Sequence, residues 1–313
     1  MKPAPERFAG VLAPVITPFL ENLAPDPERL AAHCRWLLEQ GVGLALFGTN
    51  SEGNSLSVKE KMELLDRLID QGIDSARMMP GTGCSALTDS VELTRHAVER
   101  GCAGVLMLPP FYYKEVSDEG LFRSYSEVIE RVGSSHLRIY LYHIPPVSRV
   151  GISIELVERL IAAWPETIVG IKDSSGDWDN TKRLLELSSD DFRVFSGSES
   201  FLLRNRRAGG AGCISATANV NPAAIHRLCE EWRSPEAEAL QQDLDGVRDC
   251  FRMPSMIPGL KAVVASFLDD PVWENVRPPL TPLEPEKKSA LIAKLSERGF
   301  TMPGLADDAT RRP

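Results

Sequence analysis

The chain has 313 residues, of which 43% are hydrophobic and 25% are charged, so a hydrophobic core of ordinary size is available. The formal net charge is −9, and the sequence has no basic stripe that would bind the phosphates of nucleic acid. We therefore expect no binding to nucleic acid. No stretch approaches the roughly 18 apolar residues of a membrane span, and we expect no association with a membrane.

From residue 8 to about residue 232 one pattern repeats: a short apolar run, a polar or glycine-containing turn, and an amphipathic stretch. Runs that are apolar on both faces are typical of parallel strands covered by helices on both sides. In chain order the predicted strands are 11–19, 43–48, 76–81, 103–110, 137–145, 168–173, 192–197 and 212–218.

Helix boundaries are marked along the same segments. Ser57 with Glu60 predicts a capping box, and Asp89 with Glu92 predicts a similar helix start. Glycines stand where four helices should end, each just before the next strand: Gly41, Gly72, Gly101 and Gly133.

Eight strand–helix units with right-handed crossovers predict a (β/α)8 TIM barrel, and an open doubly wound sheet is the alternative. Beyond residue 232 the strand pattern stops, and helices are predicted at 234–253, 257–270 and 283–299. We therefore expect a catalytic barrel, residues 1–232, followed by a C-terminal helical appendage, residues 233–313, whose tail LADDATRRP is expected to be mobile.

Lys172 is the strongest catalytic candidate, because catalytic side chains of such barrels lie at the carboxyl ends of strands. It is the only lysine within or at the end of a predicted strand. Desolvation favours the neutral form of an amine, which is the form that adds to a carbonyl. A lysine facing solvent or paired with Asp173 is the alternative.

Polar residues end two other predicted strands. Tyr142 could pass protons as a general acid or base, or could simply pack with its hydroxyl satisfied. His143 alternates to the other face and is interpreted as structural. The turn GTNSEG (48–53) offers backbone N–H groups and the Thr49 hydroxyl to a carboxylate, with an ordinary polar loop as the alternative.

GTGCSA (81–86) matches the G-x-G-x-x-A pattern of nicotinamide-dependent dehydrogenases, which are the alternative from another enzyme class. It lies in the third strand–helix unit, and Thr88 with Asp89 predicts a later helix start than that motif requires. The five histidines lack zinc-site spacing, so no metal is expected. The six cysteines are scattered, and MKPAPERFAG lacks the apolar run of a secretory signal, so a cytoplasmic location is expected.

Four motifs occur in order: GTNSEG (48–53), YHIPPVSRVG (142–151), GIKDSSGD (170–177) and SATANVNP (215–222). Together they resemble the dihydrodipicolinate synthase and N-acetylneuraminate lyase family over nearly the whole chain. The resemblance implies a lyase that forms a lysine Schiff base with pyruvate or another 2-oxo acid and makes or breaks a C–C bond to an aldehyde. It also implies a barrel with a C-terminal helical bundle, a homotetramer formed as a dimer of dimers, and no cofactor.

The resemblance carries over catalytic roles residue by residue. Lys172 falls on the family's Schiff-base lysine, Tyr142 on its catalytic tyrosine, and Thr49 on the first hydroxyl residue of its G-[TS]-T-G-E loop. Tyr113, in PPFYYK, falls on a tyrosine that reaches the neighbouring subunit's site. An aromatic loop of this kind also predicts a dimer contact, with coverage of its own barrel mouth as the alternative.

Substrate-binding roles follow in the same way. Thr49 and Asn50 are implied for the carboxylate of the 2-oxo acid. Gly197 and Ile214 fall on positions whose backbone approaches the lysine. Arg149 resembles an arginine that binds the second substrate, and a surface arginine is the alternative.

The chain departs from the family pattern in the loop itself. Asn50 replaces the second hydroxyl residue and Ser51 the following glycine, whereas Glu52 keeps the acidic residue. The second substrate therefore stays open between a 4-hydroxy-tetrahydrodipicolinate synthase, a 2-oxo-3-deoxy sugar-acid aldolase or dehydratase, and an enzyme similar to N-acetylneuraminate lyase. A non-catalytic barrel is disfavoured, because Lys172, Tyr142 and Thr49 occur together.

Overall fold

The computed structural model describes residues 7–252 and 255–306. In these ranges the strands are β1 (Gly10–Ala13), β2 (Gly43–Leu44), β3 (Val105–Met107), β4 (Ile139–His143), β5 (Ile168–Asp173), β6 (Arg193–Ser196) and β7 (Gly212–Ile214). The helices are α1 (Pro27–Glu39), α2 (Val58–Asp70), α3 (Leu87–Glu99), α4 (Asp118–Val132), α5 (Pro145–Ser148), α6 (Ile154–Ala163), α7 (Trp178–Leu185), α8 (Leu202–Arg207), α9 (Pro222–Glu230), α10 (Ala237–Cys250), α11 (Met256–Leu268) and α12 (Pro285–Glu297). Within the described part of the chain, none of the helices has the length and hydrophobicity needed to cross a bilayer.

The chain divides into two compact units. Unit A comprises residues 7–10 and Asp74–Ile214, and it contains β3 to β7 with helices α3 to α8. Unit B comprises Val11–Ile73 and the described residues from Ser215 onward, and it contains β2, most of β1 and the other helices. The boundary expected after residue 232 stays a prediction, and residues 307–313 of the tail that was expected to be mobile lie outside the described residues.

Helices α10, α11 and α12 occur where the sequence predicts them. Within unit B, α10 packs against α9, and α11 packs against α12 and against the short 3-10 turn Ala216–Asn219. The C-terminal helices therefore share the core of unit B with the first strand–helix segments of the chain.

The strands of unit A form a parallel sheet in the order β7-β6-β5-β4-β3. The register places Tyr142 on β4 opposite Lys172 on β5, and Lys172 opposite Phe195 on β6. Strand β5 occupies the predicted range 168–173, and all its residues are buried, as expected for a strand that is apolar on both faces.

The strand predicted at 76–81 is reduced to one parallel bridge between Gly81 and Leu106. The Leu106 N–H donates to the Pro80 carbonyl at 2.9 Å, and the Thr82 N–H donates to the Leu106 carbonyl at 3.1 Å. Pro80 has no N–H group with which to extend the ladder, and this limits the pairing. Each of the eight predicted strands thus has a counterpart in the structure.

Most predicted helix boundaries are confirmed. Ser57 and Glu60 form the complete capping box of α2. The prediction that Asp89 begins a helix is wrong, because α3 begins at Leu87 with Ala86 in the N-cap position and Asp89 in the first turn. All four predicted helix-ending glycines have positive φ, between 62° and 84°: Gly41, Gly72, Gly101 and Gly133.

Tyr140 on β4 fixes the spacing of the strands on either side of it. A Cβ atom on Gly104 would lie 2.7 Å from the Tyr140 ring, and one on Gly170 would lie 2.6 Å from it. The Tyr140 hydroxyl accepts a hydrogen bond from the Phe8 N–H at 2.8 Å. Only glycine admits the ring at both sites, and this layer supports the part of β4 and β5 that bears Tyr142 and Lys172.

Two residues organise the core of unit B. The Asn219 side chain accepts from the Ile16 N–H at 3.0 Å and donates to two carbonyl oxygens, those of Pro14 and Ala216. His33 on α1 is 2% exposed, stacks on Trp36 with ring centroids 5.5 Å apart, and lies 3.4 Å from the Asn219 oxygen. Burial lowers the pKa of His33 to about 4, although the contact with Asn219 opposes this shift.

This buried histidine predicts a loss of stability in mild acid. Below its ordinary pKa of 6.5 the unfolded chain binds a proton that the folded state accepts only near pH 4, so falling pH favours unfolding across that window. The difference corresponds to roughly 3 kcal/mol. Urea denaturation at pH 7 and pH 4.5 should show a smaller decrease in midpoint for His33→Gln than for the unmodified protein. The partly exposed His136→Gln is the control, and equal decreases in all three proteins would contradict the prediction.

Candidate active site

Lys172 is buried at the carboxyl end of β5, with 2% of its surface exposed. Its Nζ lies 4.2 Å from the centroid of the Tyr142 ring, and Tyr142 is also 2% exposed. The solvent-facing alternative for Lys172 is therefore wrong. The structure brings the two strongest catalytic candidates into direct contact, because parallel register aligns the ends of β4 and β5.

Asp173, the next residue, has its carboxylate occupied by other donors. The Ser175 N–H donates to Oδ1 at 2.9 Å, while the Asn180 amide and the Thr181 hydroxyl donate to Oδ2 at 3.1 and 2.6 Å. These bonds attach the end of β5 to the first turn of α7. Pairing with Lys172, the second alternative from the sequence, is not what holds this carboxylate.

His143 lies opposite Asp173 in the register of β4 and β5. Its Nδ1 accepts a hydrogen bond from the Ile152 N–H at 2.9 Å, so this nitrogen carries no proton. Burial lowers the pKa of His143, against the opposing charge of Asp173. These contacts support the interpretation of His143 as a structural residue.

Gly197 and Ile214, the two predicted backbone positions, lie at the carboxyl ends of β6 and β7. The Gly197 N–H, just after β6, donates to the Asp173 carbonyl at 2.6 Å. A Cβ atom at Gly197 would lie 2.0 Å from the Ser174 hydroxyl and 2.8 Å from the Asp173 carbonyl, so the backbone approaches the end of β5 closely. Ile214 is fully buried at the end of β7, two strands away from Lys172.

Tyr113 and Arg149 lie on two exposed loops of unit A that contact each other. Tyr112 and Tyr113 are 74% and 73% exposed, and their rings meet edge to face at 5.4 Å. The Lys114 ammonium donates to the Ser148 carbonyl at 2.9 Å and to the Phe111 carbonyl, which joins this loop to α5. Arg149 ends α5 in the left-handed conformation, with φ of 57°, and its side chain is exposed.

Thr49 and Asn50 lie in unit B, half-buried in a tight turn after β2. The Ser51 and Gly53 N–H groups donate to the Gly48 carbonyl at 3.2 and 3.0 Å, and the Thr17 hydroxyl donates to the Ser51 carbonyl at 2.7 Å. A Cβ atom at Gly53 would lie 1.9 Å from the Phe47 carbonyl, so only glycine closes this turn. The backbone of the predicted carboxylate-binding turn is thereby fixed.

A buried ion pair adjoins this turn and was missed by the sequence analysis. Glu52 and Lys261 form a salt bridge in which both side chains are 0% exposed. Burial lowers the pKa of Lys261 to about 8, with the Glu52 charge opposing the shift. The signal that could have revealed the pair is a single charged residue in the otherwise apolar helix MIPGLKAVVASFL.

Metal-binding groups are not gathered in the part of the chain that the structure describes. No cluster of three or more His, Cys, Asp or Glu side chains is placed there so that it could hold an ion.

Comparison with known proteins places the chain among its relatives. The model of the Dihydrodipicolinate synthetase family matches residues 7–298. The chain belongs to this family. An uncharacterized DapA-like lyase of Chloroflexus aurantiacus is 33% identical over 287 residues, which cover 91% of this chain and 95% of that relative.

Two solved structures of the family superpose closely. Dihydrodipicolinate synthase from Agrobacterium tumefaciens has a TM-score of 0.86 at 32% identity and covers 92% of this chain and 98% of its own. YagE, a prophage protein of E. coli K12 solved in complex with pyruvate, has a TM-score of 0.86 at 26% identity and covers 94% and 99%. The predicted (β/α)8 barrel with C-terminal helices is thus confirmed, and the protein is a lyase of the aldolase type, not a dehydrogenase.

Proposed function

We propose that the protein forms a Schiff base between Lys172 and a 2-oxo acid such as pyruvate, and makes or breaks a carbon–carbon bond to an aldehyde. The observation that carries the proposal is the buried Lys172 amine over the Tyr142 ring at the end of β5. The pyruvate complex of YagE, a member of the same family, supports the choice of substrate.

The proposed reaction begins when the Lys172 amine adds to the C2 carbonyl. The resulting carbinolamine loses water, with protons carried by the Tyr142 hydroxyl, and leaves an iminium. Loss of a C3 proton gives an enamine, because the iminium accepts the electron pair. The enamine attacks an aldehyde, whose oxygen takes up a proton, and water then hydrolyses the new iminium to release the product and the Lys172 amine; the reverse sequence cleaves a 4-hydroxy-2-oxo acid. The carboxylate-binding role of Thr49 and Asn50 is proposed from the family resemblance.

Borohydride reduction in the presence of pyruvate tests this proposal. We expect one reduced adduct on Lys172, because reduction converts the imine to a stable secondary amine. Peptide mass spectrometry locates the adduct, and Lys172→Arg, which keeps the positive charge, should show none. An adduct on a different lysine, or no adduct at saturating pyruvate, would sink the proposed function.

The companion variant is Tyr142→Phe. It keeps the ring against Lys172 and removes only the hydroxyl, so the adduct should still form while turnover falls roughly 100-fold or more. Near-normal turnover would assign the proton transfer to another group.

Arg149 is proposed to bind a carboxylate of the second substrate, since its exposed guanidinium can make two parallel hydrogen bonds to such a group. This role favours an aldehyde that carries a carboxylate, as in a 4-hydroxy-tetrahydrodipicolinate synthase. The sugar-acid aldolase or dehydratase and the lyase acting on N-acetylneuraminate are the competing substrate classes.

A substrate panel separates these classes. Pyruvate with aspartate semialdehyde should give the highest kcat/KM, above pyruvate with uncharged aldehydes and above 2-oxo-3-deoxy acids. Arg149→Ala should raise the KM of the aldehyde about 10-fold, leaving the KM of pyruvate unchanged. Arg159→Ala, on α6 and paired with Glu119, is the matched control. An unchanged aldehyde KM in Arg149→Ala removes the role.

Assembly is proposed from the same loops. Tyr112, Tyr113 and Val147, which is 59% exposed, form an apolar surface that a second copy would cover. We propose that Tyr113 reaches toward Tyr142 of that second copy, within a homo-oligomer built as a dimer of dimers. The alternative is that these aromatics cover the mouth of their own barrel, and the exposure of Tyr112 and Tyr113 supports the contact between copies.

Sedimentation velocity tests this surface. Tyr112→Ala with Tyr113→Ala should shift the protein toward smaller species and lower turnover, because apolar contact between copies is lost. Phe267→Ala, which removes an exposed aromatic ring from α11, should do neither. An unmodified protein that is fully active as a monomer would refute the proposal.

A further inference from the structure

The C-terminal part of unit B holds the turn that contains Thr49 through a buried carboxylate. Both oxygens of Glu52 are engaged: Lys261 on α11 forms the salt bridge with Oε1, and the Arg277 N–H donates to Oε2 at 2.9 Å. Glu52 itself has φ of 54°, which closes the turn in the left-handed region. The conformation of residues 48–53 is therefore joined to residues more than 200 positions later in the chain.

A second set of bonds fixes the far side of the same loop. The Arg277 guanidinium donates to the Ser55 carbonyl at 2.7 Å and to Glu60 in the first turn of α2. It also donates to the Leu23 carbonyl at 2.9 and 2.8 Å, and the Asn275 amide donates to the Phe19 carbonyl at 3.0 Å. Residues 275–277 thus connect the segment after β1 with the loop after β2.

Burial makes the Glu52–Lys261 pair costly. Removing two charges from water is repaid only by close geometry and further hydrogen bonds, so such a pair is weak evidence for stability alone. Here the Lys261 ammonium also donates to the Asn275 carbonyl at 2.7 Å and lies 4.4 Å from the centroid of the Phe19 ring. Because both charged groups also have hydrogen bonds outside the pair, the pair favours a single geometry of the surrounding backbone. Other buried polar networks specify a unique packing in the same way.

We propose that Lys261 and Arg277 are positioning residues that hold the Thr49–Asn50 turn in the conformation that binds the carboxylate of the 2-oxo acid. This inference rests on the proposed function, in which that turn receives the carboxylate. Neither residue contacts the reacting atoms. Their loss lowers the affinity for the 2-oxo acid and leaves the chemistry at Lys172 intact.

The test measures the pyruvate concentration that gives half-maximal borohydride adduct on Lys172. Lys261→Met keeps the length of the side chain and removes the charge, and it should raise this concentration about 10-fold, with full adduct at saturation. Steady-state kinetics should show the same increase in the KM of pyruvate with kcat changed much less. Lys288→Met, which removes the more exposed pair with Glu274 in unit B, should change neither quantity.

Two further variants distinguish positioning from simple charge balance. In Lys261→Met combined with Glu52→Gln no unpaired charge is left, so a pyruvate dependence that stays weak supports positioning, and a return to normal overturns it. Arg277→Met gives the second measurement if Lys261→Met fails to fold. The Arg277 side chain is 17% exposed, so its replacement disturbs the core less than replacement of the fully buried Lys261. A normal pyruvate dependence in a folded Arg277→Met also overturns the inference.

The outcomes for the two proposals are separable. Absence of any Lys172 adduct in the unmodified protein removes the proposed function and, with it, the inference. A normal adduct in the unmodified protein, with the same half-maximal pyruvate concentration in Lys261→Met, removes the inference alone.

Discussion

A lysine amine that loses its water shell inside a parallel sheet is expensive unless its surroundings compensate for the loss. Lys172 meets this constraint at the end of β5, where its described neighbour is the face of the Tyr142 ring. The adjacent carboxylate of Asp173 is bound by three donors from its own turn and from α7. The amine therefore lies beside an acid whose hydrogen bonds are already directed elsewhere, which suits the nucleophilic role proposed for it.

Two of the buried lysines, Lys172 and Lys261, meet the cost of burial in different ways. Lys261 keeps a carboxylate partner within reach and becomes part of the framework of unit B. Lys172 has an aromatic face instead and lies at the strand end where catalytic groups of this fold are found. Residue type and burial are the same for both lysines, and it is the nearest partner that distinguishes the one proposed to react from the one in the framework.

Local sequence predicted the elements whose signals are local. The range 168–173 for β5 was predicted because both of its faces are apolar, and the contact between Tyr142 and Lys172 followed from parallel register. The start of α3 was missed because Ala86, at its N-cap, has no side-chain oxygen to mark it. Pro80 shortened a strand that apolar character alone predicted.

The Glu52–Lys261 pair could not be predicted from local sequence, because its partners are 209 residues apart and no periodicity or short motif relates them. Its only trace in the sequence is a charge within an apolar helix. The same limit applies to Arg277, whose contacts with Ser55 and Leu23 join segments that are distant along the chain.

The distance between these partners has a consequence for synthesis on the ribosome. Nearly all of unit A is one continuous segment, Asp74–Ile214, whereas unit B needs residues from both ends of the chain. At about 5–20 residues per second, the 209 residues between Glu52 and Lys261 take roughly 10–40 s to translate. During that interval the nascent turn around Glu52 lacks Lys261, the buried partner that neutralises its charge in the finished protein.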